Sequence, residues 1–197
     1  MKRLGRYLVR ERLDIFAPFA VIAVFWPWGE TEGVEFVIIP AGAFLSLSGL
    51  FLRAWSMRHC GKAGASQDRI KRLTTTGPYH VCRNPLYLAN MFIFTGLLVI
   101  SEVLWVIPAF LTYAFVRYGS IIAREESAMS LQFGRDYEEY RGRVPRWRPR
   151  LALPVGSPRR TWGAVVGREA VQVAGCCAGA AILMTKDTWL ASWILGT

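Results

Sequence analysis

Five apolar runs alternate with polar segments, and every second polar segment is basic. The runs cover residues 15–28, 36–52, 85–101, 103–116 and 170–185. Of the 24 Lys and Arg residues, 23 lie before the first run, between the second and third, or between the fourth and fifth, counting arginines at helix ends. The opposite side holds Lys186 and the acids Glu30, Glu32, Glu35 and Glu102. Basic segments stay on the cytosolic side of a membrane, so this alternation sets the N-terminus inside and the C-terminus outside. Each run is shorter than the ~20 residues that a spanning helix prefers. Arg53, Arg117 and Arg168 extend them by snorkelling to the interface. The expected fold is all-α: one domain over residues 1–197, a polytopic transmembrane bundle of about five spans, its last membrane helix over about 166–186. Pro18, Pro40 and Pro108 are expected to bend their helices. The small residues of runs two and five should let helices approach closely.

Composition narrows the function classes. The chain is 53% hydrophobic yet carries a formal charge of +10, which fits apolar helices in lipid joined by segments facing anionic headgroups. Eight Trp and seven Tyr suit interface belts. A nucleic-acid-binding protein could be as basic, but would not need five long apolar runs. Cys60, Cys82, Cys176 and Cys177 form no C-x2-C pair, and His59 and His80 are the only histidines. That pattern predicts neither a zinc site nor a disulfide framework. The first run ends in Pro27 and Trp28 with no small-residue cleavage site, so it reads as a retained anchor.

The polar sequence expected on the cytosolic side spans residues 57–84 and 124 to about 169. Two stretches there stand out. In LTTTGPYHVCRNPLYLAN, residues 73–90, Gly77-Pro78 marks a turn and Pro85 suits the first turn of a helix. The free N–H groups of that helix start attract an anionic group, with Arg83 beside them and Tyr87 one turn in. The same Arg and Tyr could instead anchor the helix at the headgroups. In REESAMSLQFGRDYEEYRGRVPRW, residues 124–147, Glu125 and Glu126 follow an apolar run on the basic side. Acids there call for a cationic partner, either a charged ligand or a local Arg such as Arg124 or Arg83. Met129, Phe133, Tyr137 and Tyr140 recur at helical spacing, as a packing or membrane-surface face does. The Pro- and Arg-rich segment 144–160 cannot be helical and is expected to lie extended along the headgroups.

At these residues the chain resembles the isoprenylcysteine carboxyl methyltransferase family and its phospholipid methyltransferase relatives. The family pattern G-x-Y, R-H-P-x-Y-x-G, E-E, F-G-x-x-Y-x-x-Y and V-P-x-x-x-P reads here as GPY (77–79), RNPLYLA (83–89), EE (125–126), FGRDYEEY (133–140) and VPRWRP (144–149). A weaker match is GLFLRAW at 49–55. The resemblance implies an S-adenosyl-L-methionine site within a core over residues 71–149. It would be formed by Lys71, Arg72, Leu73, Thr74, Tyr79, Arg83, Asn84, Pro85, Leu86, Tyr87 and Glu125, with Glu125 holding the cofactor's amino group. Asn84 stands where the family has His, which removes a titrating group near neutral pH. Ala89 replaces the motif's last Gly. Ile121 stands where prenylcysteine enzymes carry an Arg that meets the substrate carboxylate, which argues against a prenylcysteine substrate.

Methyl transfer from a sulfonium needs an aligned acceptor and little water. The expected acceptor is lipid-like, reaching the site from the bilayer. A carboxylate or phosphate needs only an orienting cation, for which Arg117 is the first candidate, beside Arg124, Arg53 and Arg168. An amine must lose a proton, which Glu126 or solvent could take. No nucleic-acid partner is expected. The competing readings are an NADPH-dependent sterol-type reductase and a non-enzymatic membrane subunit.

Overall fold

The computed structural model describes residues 15–26, 33, 35–60 and 72–195, without the side chains of 168 and 187–195. The basic start (Lys2–Arg12), Glu30, Glu32 and Lys71 lie outside the described residues, as does the Arg168 side chain. Seven helices and no strand occur among the described residues: α1 (Ala17–Phe25), α2 (Glu35–His59), α3 (Pro78–Val81), α4 (Pro85–Ile100), α5 (Val106–Phe133), α6 (Arg135–Arg143) and α7 (Trp162–Leu195). Of these, α2 and α5 are long and apolar enough to cross a membrane, and α4 is a shorter apolar helix.

The α2–α4 pair is packed backbone to backbone. Gly42, Ser46 and Gly49 recur at helical spacing and are buried on the face of α2 that meets α4. A Cβ built on Gly42 would lie 2.7 Å from the Gly96 carbonyl oxygen, and one on Gly49 2.7 Å from that of Ala89. Ser46 Oγ donates across the contact to the Ile93 carbonyl at 3.1 Å. Lipid supplies no hydrophobic drive between helices, so close van der Waals packing and interhelical hydrogen bonds must supply it.

The turn after α4 is tight. Ser101 is fully buried, and Glu102 takes a positive φ of 61°. The chain then re-enters as α5. Lys186 of α7 reaches this corner and donates to the carbonyls of Ser101 (2.7 Å) and Trp26 (3.4 Å). The main core lies between α1, α4 and α5. Phe16 stacks on Phe94 and meets Phe110 and Tyr118, with Ile100, Ala114 and Ile122 around them.

Three expectations are revised. Run four is only the first part of a helix of 28 residues, ~42 Å at 1.5 Å per residue. The same rod therefore carries Arg117 and the Glu125–Glu126 pair out beyond the apolar zone. Pro18 and Pro108 fall in the first turns of α1 and α5, where no intrahelical donor is lost and no bend is required. Only Pro40 is interior, in α2. Finally, segment 144–160 is bonded to protein along much of its length, as described below.

The glycine contacts yield a paired prediction. Gly49→Ala forces a methyl into the α4 backbone and should cost about 1–3 kcal/mol. Gly119→Ala, where nothing lies within 4 Å of an added Cβ, should be neutral or slightly stabilising. Thermal unfolding in detergent, followed by helical circular dichroism, checks both; equal melting points would refute the close-contact account.

Candidate functional site

Residues 72–84 connect the end of α2 to the start of α4. Gly77 makes the turn possible: its φ is +59°, and a Cβ there would lie 2.5 Å from the His59 ring. His59, buried at the end of α2, lies 3.1 Å from Thr76 Oγ1 through Nδ1. The short α3 then turns Tyr79 inward. Its hydroxyl is enclosed, and the Tyr140 hydroxyl donates to its carbonyl at 2.7 Å. Burial pushes the Tyr79 phenol well above its ordinary range, with further contributions from the Cys60 thiol, Tyr140 and Glu125.

Next to it is an ionic cluster of one carboxylate and two guanidiniums. Glu126 is buried. Arg146 grips it with both arms of its fork, Nε to Oε1 at 3.2 Å and Nη2 to Oε2 at 2.5 Å. Arg83 Nη1 stands 3.5 Å from Oε1. The Arg83 side chain is only 10% exposed, and its Nε and Nη1 are buried without a hydrogen bond among the described residues. One negative charge faces two positive ones in a poorly solvated place. Such a cluster favours a further anion, because an isolated buried charge is costly. Arg83 also sits immediately before α4, whose Asn84 N-cap makes no side-chain cap bond. Burial, and after it the Glu126 carboxylate, raise the Tyr137 hydroxyl to about 12.

A strap closes the site from behind. After α6 the chain turns extended at Val144 and runs beside the connecting loop. Arg83 N donates to the Pro145 carbonyl (3.0 Å) and Arg150 N to that of Val81 (3.1 Å). Asn84 Nδ2 donates to the Arg146 carbonyl at 3.3 Å. Arg150 donates from Nε to the His80 carbonyl at 2.8 Å and bonds His80 Nε2 through Nη2. Further on, Gly77 N donates to the Val155 carbonyl at 2.8 Å. Tyr137, Tyr140 and Val144 form a small core beneath the strap with Leu73, Met129 and Phe133. The tyrosine stripe of α6 is therefore packing.

The expected site residues divide into groups. Tyr79, Arg83, Asn84, Glu125 and Glu126 are brought together. Leu73 packs on the strap core, and its carbonyl accepts Arg159 Nη2 at 3.2 Å. Pro85 is buried, Thr74 and Leu86 are half-buried, and Arg72 is exposed. Tyr87 turns away into the main core, its ring 4.8 Å from that of Tyr118. Arg53 is engaged elsewhere, with Glu169 at 2.6 Å and Asn90 at 2.9 Å. Arg117 lies eight residues before Glu125, ~12 Å along α5, and its Nε is buried without a hydrogen bond among the described residues. Sequence reasoning missed Arg146. The signal was present: an acid pair in need of a cation, and a spare Arg inside VPRWRP, a segment assigned to the headgroups.

The family model for phospholipid methyltransferase matches residues 37–136. The chain is 38% identical over 152 residues to the nickel-cobalt-cadmium resistance protein NccN of Alcaligenes xylosoxydans xylosoxydans, covering 76% of this chain and 70% of that one. It is 37% identical over 165 residues to the cobalt-zinc-cadmium resistance protein CzcN of Cupriavidus metallidurans, covering 82% and 73%. No solved structure matches.

Two outcomes follow. Removing one partner from a buried ion pair leaves the others uncompensated, so Glu126→Ala should destabilise the protein by about 3 kcal/mol, read from denaturant unfolding; a loss below about 1 kcal/mol would mean that Glu126 is not the clamp. His80 gives a pH dependence. Its pKa is lowered, first by burial and then by Arg150 and Arg143, and its Nε2 must be unprotonated to accept from Arg150. The stability that it contributes is present above the unfolded histidine pKa of about 6.5 and is lost as pH falls through its lower folded pKa. Melting temperatures of the native chain and of His80→Gln should converge at acid pH and separate above it. Parallel curves would remove His80 from the account.

Proposed function

The chain belongs to the phospholipid methyltransferase family, and from that premise we propose that it transfers a methyl group from S-adenosyl-L-methionine to a lipid-like acceptor at the cytosolic membrane face. The observation that carries this reading is Arg83: a nearly buried guanidinium whose Nε and Nη1 make no hydrogen bond among the described residues, just before a helix N-terminus and facing the Glu126 carboxylate. That set suits a zwitterionic amino acid group. Arg83 and the start of α4 would hold its carboxylate, and Glu125 its ammonium. Tyr79 and the loop before it, Lys71 to Thr74, would lie against the rest of the cofactor, with Asn84, Pro85 and Leu86 shaping the near wall. Tyr87 contributes from behind, fixing the start of α4 on α5 through Tyr118.

Bound there, S-adenosyl-L-methionine supplies an electrophilic methyl on a sulfonium. The protein's part is to orient, to hold charge and to exclude water. Arg117, eight residues before Glu125 on α5, would orient an anionic acceptor, such as a carboxylate or phosphate. An anionic acceptor needs no base. Glu126 was the candidate proton acceptor for an amine, but both of its oxygens are taken up by guanidiniums. We assign it the positioning of Arg83 and the strap instead. The five-span topology with an inner N-terminus belongs to the same reading, since it puts every one of these groups on the basic side. The relatives' names speak of nickel, cobalt, cadmium and zinc resistance. Carried to this chain, they suggest that the methylated membrane component serves a cell exposed to such metals.

Calorimetric titration of the purified protein with S-adenosylhomocysteine should show binding, and NADPH none. Glu125→Ala should abolish that binding. Arg117→Ala should leave it within about twofold while lowering turnover, measured as a lipid class gaining the mass of one CH2 in cells that carry the protein. The reverse pattern would mean that the two sites are exchanged, and binding of NADPH alone would favour the reductase reading.

A further inference from the structure

We propose that the tip of the strap, residues 148–160, docks on the anionic lipids of the leaflet around it and thereby clamps the roof of the cofactor site. The proposal rests on the membrane and methyltransferase reading above and adds a regulator to the same site.

The tip carries a pair of leucines with nothing to cover them: Leu151 is 108% exposed and Leu153 86%. Ala152 between them is half-buried. The surrounding charge has one sign. Between Glu139 and Glu169 the chain has eight arginines and no acid, and Arg148 is exposed at the base of the tip. Apolar side chains framed by cations are what an anionic bilayer surface holds, apolar groups in the acyl boundary and cations at the headgroups. The tip also ends beside the start of α7. Arg159 N and Arg160 N donate to the Arg58 carbonyl at the end of α2. Two residues later α7 starts at Trp162, a half-exposed indole with the Arg58 guanidinium 4.2 Å above its ring. An interfacial Trp and Arg mark headgroup level, and the leucines stand just before it.

Both ends of the tip are fastened to the cofactor loop. Arg150 bonds Val81 and His80 on one side, and Val155 accepts from Gly77 on the other. Gly156, at φ +87°, packs directly against Thr76. Lipid that holds the tip therefore also holds residues 76–81, which include Tyr79. A ligand that favours the ordered loop and a lipid that favours the docked tip must strengthen one another, because the coupling is reciprocal.

The test uses the full-length protein in nanodiscs of phosphatidylcholine alone and of phosphatidylcholine with phosphatidylglycerol. A photoreactive benzoylphenylalanine at position 153 should form lipid adducts, seen by mass spectrometry, and mostly with phosphatidylglycerol. No lipid adduct, or adducts without anionic preference, overturns the proposal. S-adenosylhomocysteine should bind several-fold more tightly in the anionic discs, and the double variant Leu151→Asn, Leu153→Asn should lose that gain while matching the native affinity in phosphatidylcholine. Equal native affinity in both discs overturns the clamp. If no disc supports binding, the methyltransferase reading fails instead, and the adduct pattern still decides whether the tip meets lipid.

Discussion

Glu126 is where three pieces of chain are made to agree. Its carboxylate comes from α5, one guanidinium from the segment just before α4, and the other from the strap after α6. None of these segments is adjacent in sequence. An unpaired carboxylate in that position would have to leave, protonate or draw in water; with two arginines it fixes both neighbours. The bidentate Arg146 contact sets the strap's register, and the backbone bonds from Arg83 and Arg150 follow from it. Two guanidiniums on one carboxylate leave the cluster with a surplus of positive charge.

The helices beneath give that cluster a rigid floor. α5 is one unbroken rod from the buried turn at Val106 to Phe133, so the acid pair cannot move independently of the core residues Phe110, Ala114 and Tyr118. α4 is pinned against α2 by close glycine contacts and the Ser46 hydrogen bond. The start of α4, where Arg83 and Asn84 sit, is thereby set relative to the end of α2, where His59 closes on Gly77. The geometry of the site is in this sense decided by glycines and by ring-on-turn packing some distance from any chemistry.

Much of this was legible in the sequence, and the limits have physical reasons. Apolar runs, small-residue stripes and Pro85 gave the helices and the start of α4, because those signals are local. The convergence of Arg83 with the acid pair followed from charge sense: acids on a basic side need cations. What was missed was the second cation. Arg124 and Arg83 are near in sequence or motif, whereas Arg146 reaches Glu126 only because the strap turns back at Val144, a long-range event with no local signature. Tyr87 was expected in the site on motif grounds, yet helical phase turns it towards Tyr118. The proline bends failed for a simpler reason: the runs were read as helices from their first apolar residue, while α1 and α5 start so close to Pro18 and Pro108 that neither interrupts a ladder.

The far end of the bundle has its own fastening. The Lys186 ammonium is 2% exposed and sits on two main-chain oxygens, one closing α4 and one closing α1. Sliding α7 by a single turn, about 5.4 Å, would carry the tip of Lys186 off both oxygens. The final helix is consequently keyed at one axial position. At its opposite end the Glu169–Arg53 contact repeats the lock, so that α7 behaves as a bolt thrown at both ends, not as a piston.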